Sequence, residues 1–308
     1  MIRQMKKVKI GIVVEYNPFH NGHIYQIQQI KKIFPSSKII VAMSGKYSQR
    51  GEITCASFAK RKRYALKSGV DKVLKLPTQV STQAAHIFAS ESVKILNKQK
   101  IDYLVFGSES DDVERLIKIA QIIKKNREQY NQLIKQFLKK GANSFPKATN
   151  LALQELSGED ISMPNDILGL EYVKTIIDND YPIQPISIKR TIDFHSEETY
   201  LDFASATKIR QMLKNNQDYT KYTPMRFNYF DKCRNNQKIY HRFQKVIRKY
   251  SAEKLEKFKM ISEGIQNLFK KHIEIDKYDD FVQECTSRRY TSSRIKRTIL
   301  MVALKIKK

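Results

Sequence analysis

GIVVEYNPFHNGHIYQIQQI, residues 11–30, opens as a strand and closes as a helix. The β-branched run in VKIGIVVEY (8–16) predicts a buried strand, and Ile24, Ile27, Ile30 and Ile33 recur at helical spacing over 22–34. Between the two lie Asn17, Pro18, Phe19, His20, Asn21, Gly22 and His23. A loop that leaves a strand and enters a helix is a natural anion site, because free backbone N–H groups and the helix dipole converge there. Gly22 lets the backbone approach a phosphate closely. Two histidines around it can flank one phosphorus and donate hydrogen bonds as charge builds in a transition state. A lone histidine is as readily a core or surface residue. The pair, with the glycine, directly after such a strand points to phosphate chemistry.

Outward from this stretch the chain alternates strands and helices. KIIVAMSG (38–45), DKVLKLP (71–77), IDYLVFGSE (101–109) and PISIKR (185–190) read as strands. Residues 57–68, 82–97, 111–140, 143–157 and 164–179 read as helices. Strands separated by helices predict an α/β fold with a parallel sheet and right-handed crossovers. Ligands of such sheets gather at the carboxyl ends of the strands, here near 16–23, 44–50 and 107–109. After Arg210 the character changes: 211–308 is helix-like, rich in Lys and Arg and interleaved with Tyr and Phe. The expected division is 1–215 and 216–308.

The chain has 308 residues and a formal charge of +26, from 57 Lys+Arg against 31 Asp+Glu. Such an excess predicts a polyanion partner, although a chain rich in Lys, Ile and Asn carries part of it as plain composition. It is densest at the end, where Arg288, Arg289, Arg294, Lys296 and Arg297 surround Tyr290. On a helix Arg294 and Arg297 share one face and Ile295, Ile299 and Val302 another, so the charged face could follow an RNA backbone while Tyr290 stacks on a base. A solvated helix face is the simpler alternative. Residues 139–150 add a second basic loop. Three cysteines without metal-ligand spacing imply neither a disulfide framework nor a metal site. With no signal-peptide pattern and no long apolar run, a cytoplasmic protein with no membrane contact is expected.

Two motifs carry a resemblance. HNGH (20–23) resembles the HxGH signature of nucleotidyltransferases, which attack the α-phosphate of ATP and expel pyrophosphate, and ASATKIR (204–210) is similar to their ISSTxIR. Together with SGKYSQRGE (44–52), KSGVDKVLKLP, VFGSE (105–109), PNDILGLEY (164–172) and CTSRRYTSSRIKR (285–297), they resemble the bacterial tRNA(Met) cytidine acetate ligase family. The likeness implies a Rossmann-like HxGH domain followed by a helical, basic, tRNA-binding domain. It implies acetate activation by ATP to acetyl-adenylate, then acetylation of the wobble cytidine of elongator tRNA(Met) to N(4)-acetylcytidine, with release of pyrophosphate and AMP. Carried over by position, His20 and His23 are catalytic. The ATP site then comprises Ile10, Gly11, Val13, Val14, Glu15, Tyr16, Asn17, Pro18, Phe19, His20, Asn21, Gly22 and His23, with Gly107, Asn165, Arg190, Ser205, Thr207 and Arg210. Arg288, Arg289, Tyr290, Arg294 and Arg297 are expected on the tRNA. Mg2+ could accompany ATP; no stable protein partner is implied. The chain looks shorter than most relatives, with the loss between about 215 and 280, and 55–66 departs from the family pattern. A small-molecule adenylyltransferase, of the pantetheine-phosphate or nicotinamide-mononucleotide type, fits the two motifs equally but not the basic helices. A non-catalytic RNA-binding protein does not need the intact His20, Gly22 and His23.

Overall fold

The computed structural model describes residues 7–139, 144–190 and 201–308. Residues 140–143, within the second basic loop, lie outside it. Five strands form one parallel sheet: β1 (Lys9–Val14), β2 (Lys38–Ser44), β3 (Lys72–Leu76), β4 (Tyr103–Ser108) and β5 (Gln184–Lys189). Their order is β3-β2-β1-β4-β5. From β1 the chain winds outward through β2 and β3, then returns to place β4 on the other side. The order therefore reverses between β1 and β4, and the crevice beyond their carboxyl ends is where such sheets bind ligands.

Alternation along β1 decides which helices lie on which face. Ile10, Ile12 and Val14 point into one core with Ile39, Val41 and Met43, against the helices Asn21–Ile33 and Phe58–Lys67. Gly11 and Val13 point the other way, toward Leu96, Ile101, Leu104 and Phe106 and the helices Ala85–Asn97, Val113–Lys125 and Pro164–Asp178. A Cβ on Gly11 would sit 2.5 Å from Cδ1 of Ile101, so that glycine serves close helix–sheet packing. One helix expected as a single element is divided: residues 111–140 form Val113–Lys125 and Arg127–Lys139. The helix expected over 82–97 starts at Ala85, after a separate turn at Thr78–Ser81.

The second core is helical: Tyr240, Phe243, Phe269 and Phe281 pack ring against ring with centroids 5.1–5.7 Å apart for the Tyr240–Phe281, Phe243–Phe269, Phe243–Phe281 and Phe269–Phe281 pairs. Its first buried member after the sheet unit is Ile239. The chain keeps packing on the sheet well past residue 215: Met225 and Phe227 join the β1 face, and the Thr223 hydroxyl donates to the Phe19 carbonyl at 2.6 Å. The last helix, Ser292–Ala303, is not a solvated basic face. Ile295 and every residue from Arg297 to Ala303 on it are buried.

The loop after β2 joins the two cores. Tyr47 sits in the helical core, and Ile53 N–H donates to Asn236 Oδ1 at 2.8 Å. Arg234 Nε donates to the Thr54 carbonyl at 2.6 Å, and Glu52 pairs with Lys296 at 2.8 Å. Gly51 has φ +85°, and a Cβ there would lie 2.8 Å from the Arg297 backbone, so both conformation and space demand glycine.

Candidate active site

His20 is the N-cap of the helix Asn21–Ile33, in extended conformation. Its Nδ1 accepts from the Gly22 N–H at 3.1 Å, while its own N–H donates to Nδ1 of His23, also at 3.1 Å. The two side chains thus fill a reciprocal cap that satisfies orphan donors of the first turn. The consequence is chemical. With both Nδ1 atoms accepting, each neutral ring carries its proton on Nε2, the atom left to face a ligand. The rings stack with centroids 3.7 Å apart and rest against Tyr16 and Phe19.

Burial, with the charges of Arg190 and Arg210, pulls the His20 pKa down to about 3. Burial, His20 and Arg190 hold His23 well below its usual range too. Both imidazoles are neutral at pH 7, donors through Nε2–H rather than cations. The nearby cations are the arginines. Arg210 is fixed by donating to the Asn17 carbonyl at 2.7 Å and to the Thr207 hydroxyl at 3.1 Å. Ser205 caps the helix Ala206–Lys214 by accepting from Lys208 N–H at 3.0 Å, which presents Thr207 and Arg210 to the loop. Arg190 follows β5, its N–H on the Ser108 carbonyl at 3.0 Å. Its stem crosses Gly107, where a Cβ would come within 3.3 Å of Cγ.

These groups line one cleft of about 910 Å3, at the large end of the range for small-molecule sites. Of the expected ATP residues, Val13, Val14, Glu15, Tyr16, Asn17, His20, Gly22, His23, Gly107, Asn165, Arg190, Ser205, Thr207 and Arg210 line it. Ile10 and Gly11 do not: they lie in the early half of β1, buried between sheet and helices, remote from the strand's carboxyl end. Pro18, Phe19 and Asn21 are likewise not among the lining residues. Phe19 is core, and Asn21 ties the loop to the later chain, its Nδ2 donating to the Asp202 and Lys221 carbonyls at 2.7 and 2.9 Å. Asn165 does not offer a free amide, because its Nδ2 and backbone N–H both donate to Glu109; its Oδ1 lies 3.5 Å from Arg190 Nη1.

The C-terminal arginines differ from one another. Arg288 and Arg289 are exposed and Arg294 is partly so, with Arg289 and Arg294 both on the Glu263 carboxylate at 3.5 and 3.1 Å. Arg297 is buried. Arg289, Arg294 and Arg297 line the same cleft as the histidines. Tyr290 does not offer a stacking face: it is 8% exposed, its hydroxyl donates to the Glu263 carbonyl, and the guanidinium groups of Arg289 and Arg294 lie 5.5 and 5.1 Å from its ring centre.

The model of the HIGH nucleotidyl transferase family matches residues 5–308. The tRNA(Met) cytidine acetate ligase of Mycoplasmopsis synoviae is 57% identical over 304 residues, covering 98% of this chain and 99% of that protein. The chain belongs to the tRNA(Met) cytidine acetate ligase family. The ligase of Anoxybacillus flavithermus is 36% identical over 303 residues, 94% of this chain but 75% of its own length. Among solved structures, Thermotoga maritima TmcAL superposes with a TM-score of 0.86 in its apo form and 0.84 with alpha-thio ATP bound, at 30% identity, over 98% of this chain and 76% of those chains. The chain is thus as long as the Mycoplasmopsis ligase and about three quarters the length of the other two.

Within this ligase fold, three supporting residues escape a reading of the sequence. Arg61 is fully buried and donates to the carbonyls of Glu15, Gly45 and Ala56, locking the ends of β1 and β2 together. Burial pulls its pKa down to about 10, which leaves it charged at pH 7. Glu109 caps the helix Pro164–Asp178 by accepting the Asn165 and Asp166 N–H groups at 3.0 Å each. In return Asp166 accepts the Ser108 hydroxyl at 2.5 Å and Glu109 N–H at 3.1 Å. The signal for that clamp is present in the sequence, an acid following VFGS and another in PND, but nothing local pairs them across the 57 positions that separate them.

Proposed function

We propose that this chain acetylates the wobble cytidine of elongator tRNA(Met), using ATP and acetate through an acetyl-adenylate. The observation that carries this reading is the pair of stacked imidazoles, each with Nδ1 occupied as an acceptor so that Nε2 is left as the donor, lining a cleft shared with arginines of the helical core. In the first step an acetate oxygen attacks the α-phosphorus of ATP, the P–O bond to the β-phosphate breaks, and pyrophosphate leaves. His20 and His23 donate to oxygens on which charge grows; Arg190 and Arg210 stabilise the phosphates. In the second step the cytidine N4 attacks the acyl carbon, AMP leaves, and the amine loses a proton. The acceptor base comes from a single-stranded loop, where it can be splayed out.

The sheet unit, with the segment through Phe227 that packs on it, would form the activating unit, and the helical unit from Ile239 on would hold tRNA. Arg288, Arg289 and Arg294, at or near the surface, are the proposed contacts to the RNA backbone. Among the described residues no three His, Cys, Asp or Glu side chains converge as a metal site. A Mg2+ accompanying ATP would be held chiefly by the phosphates and water, with one or two carboxylates at most, as is common for Mg2+ at phosphate sites. Among the described residues, too, no helix is long and apolar enough to cross a membrane.

The experiment is pyrophosphate exchange into ATP. Exchange that depends on acetate is the expected result. Exchange that ignores acetate but responds to phosphopantetheine or nicotinamide mononucleotide would replace this reading with a small-molecule adenylyltransferase.

A further inference from the structure

Arg297 is 9% exposed and makes no hydrogen bond or ion pair with any described residue; its Nε is fully enclosed without a partner. Its nearest charged neighbours are also cationic: burial, Arg294 and Arg50 together pull its pKa down to about 10. A buried cation with no counter-charge is costly, and proteins rarely leave one without a ligand to complete it. The acids close by are already engaged, Glu52 by Lys296 and Glu263 by Arg294 and Arg289. Arg297 has Gly51 packed against its backbone, and its helix neighbours Ile295, Thr298 and Met301 are buried. Its side chain does reach the cleft, which it lines together with Arg50 and Arg294.

We propose that Arg297, with Arg50 and Arg294 beside it, forms a second oxyanion site where the 48–52 loop meets the last helix, and that its ligand is a phosphodiester of the acceptor RNA next to the cytidine being acetylated. This rests on the function proposed above. The ATP phosphates have their own site at the start of the helix Asn21–Ile33, with Arg190 and Arg210. An acetate needs one guanidinium fork, whereas three arginines around one wall suit a phosphate group, which accepts from several directions. A phosphate seated in the same cleft as the histidines draws the adjoining nucleotide toward the acyl-phosphate. The site would thus help select a single-stranded acceptor, because a paired strand cannot bring a backbone phosphate so far inside.

The test compares Arg297→Gln with wild type in three measurements: salt titration of tRNA binding, steady-state tRNA acetylation, and acetate-dependent pyrophosphate exchange. Losing one phosphate contact should lower the slope of log K against log salt by about one. Acetylation kcat/KM for tRNA should fall at least tenfold further than exchange does, and the melting temperature should stay level or rise once an uncompensated buried cation is gone. A wild-type salt slope would overturn the inference. So would a raised KM for acetate with the slope retained, which would make the site a carboxylate pocket. A lower melting temperature with acetylation and exchange falling in parallel would make Arg297 a structural cation. If Arg297→Gln does not fold, Arg50→Gln is read by the same slope and the same ratio. Wild-type protein lacking acetate-dependent exchange would sink the proposed function instead, and the salt-slope comparison would still decide the phosphate site.

Discussion

Replacing His20 by asparagine, glutamine and alanine separates the two tasks its ring performs. Nδ1 accepts the Gly22 N–H at the helix start, which leaves Nε2–H as the donor His20 can offer to the cleft it lines. Asparagine puts an oxygen near the position of Nδ1 and has nothing at Nε2. Glutamine reaches the Nε2 position with an amide N–H but is too long to cap. Alanine has neither. Loss of an N-cap costs about 1 kcal/mol, which for a chain of this size moves the melting temperature by roughly 2 °C. Loss of one transition-state donor costs on the order of 100- to 1,000-fold in rate. His20→Asn should therefore melt like wild type yet lose about two to three orders of magnitude of acetate-dependent exchange. His20→Gln should melt lower and keep more of the activity, and His20→Ala should lose both. The assays are calorimetry and pyrophosphate exchange on the same preparations. If His20→Asn exchanges at the wild-type rate, the ring is only a cap and the donor role is refuted.

Two further outcomes are expected. His20 titrates near 3 in the fold against about 6.5 in an unfolded chain, so between those values the unfolded state binds the extra proton. Its contribution is complete above pH 6.5 and is lost as pH falls toward 3, by roughly 1 kcal/mol per pH unit; His23, shifted the same way, adds to the loss. The denaturation midpoint should fall from pH 7 to pH 5, and less so in His20→Asn; an equal fall in both would contradict the assignment. Gly51→Ala places a Cβ against the Arg297 backbone at positive φ. It should cost more than 1 kcal/mol in a denaturant titration and impair tRNA acetylation more than exchange; wild-type stability would mean that this loop does not clamp the two cores.

The sheet was legible because its strands are short apolar runs set between helical patterns, two of them, β2 and β3, stopped by Gly45 and Pro77, and the histidine turn because its motif lies within four consecutive residues, His20 to His23. What escaped depends on distant partners. Arg61 reads as one of several basic residues in AKRKRYAL, and only the carbonyls of Glu15 and Gly45 distinguish it. Tyr47 and Ile53 read as loop residues until Asn236 and the helical core lie beside them. The break between the helices Val113–Lys125 and Arg127–Lys139 rests on Asn126, whose Nδ2 bonds back to the Ile122 carbonyl, a local competition that the apolar pattern on either side conceals. Arg297 was expected on a charged face open to RNA, whereas it is buried and the last helix is packed on nearly every side.

The most direct measurement is nucleoside analysis of elongator tRNA(Met) after incubation with the protein, ATP and isotope-labelled acetate. Label should appear in N(4)-acetylcytidine at the wobble position, in amounts that match the AMP and pyrophosphate released, and should be absent without ATP and with His20→Asn. Release of AMP and pyrophosphate with no label in cytidine, or label that persists when ATP is omitted, would contradict acetylation through an acetyl-adenylate.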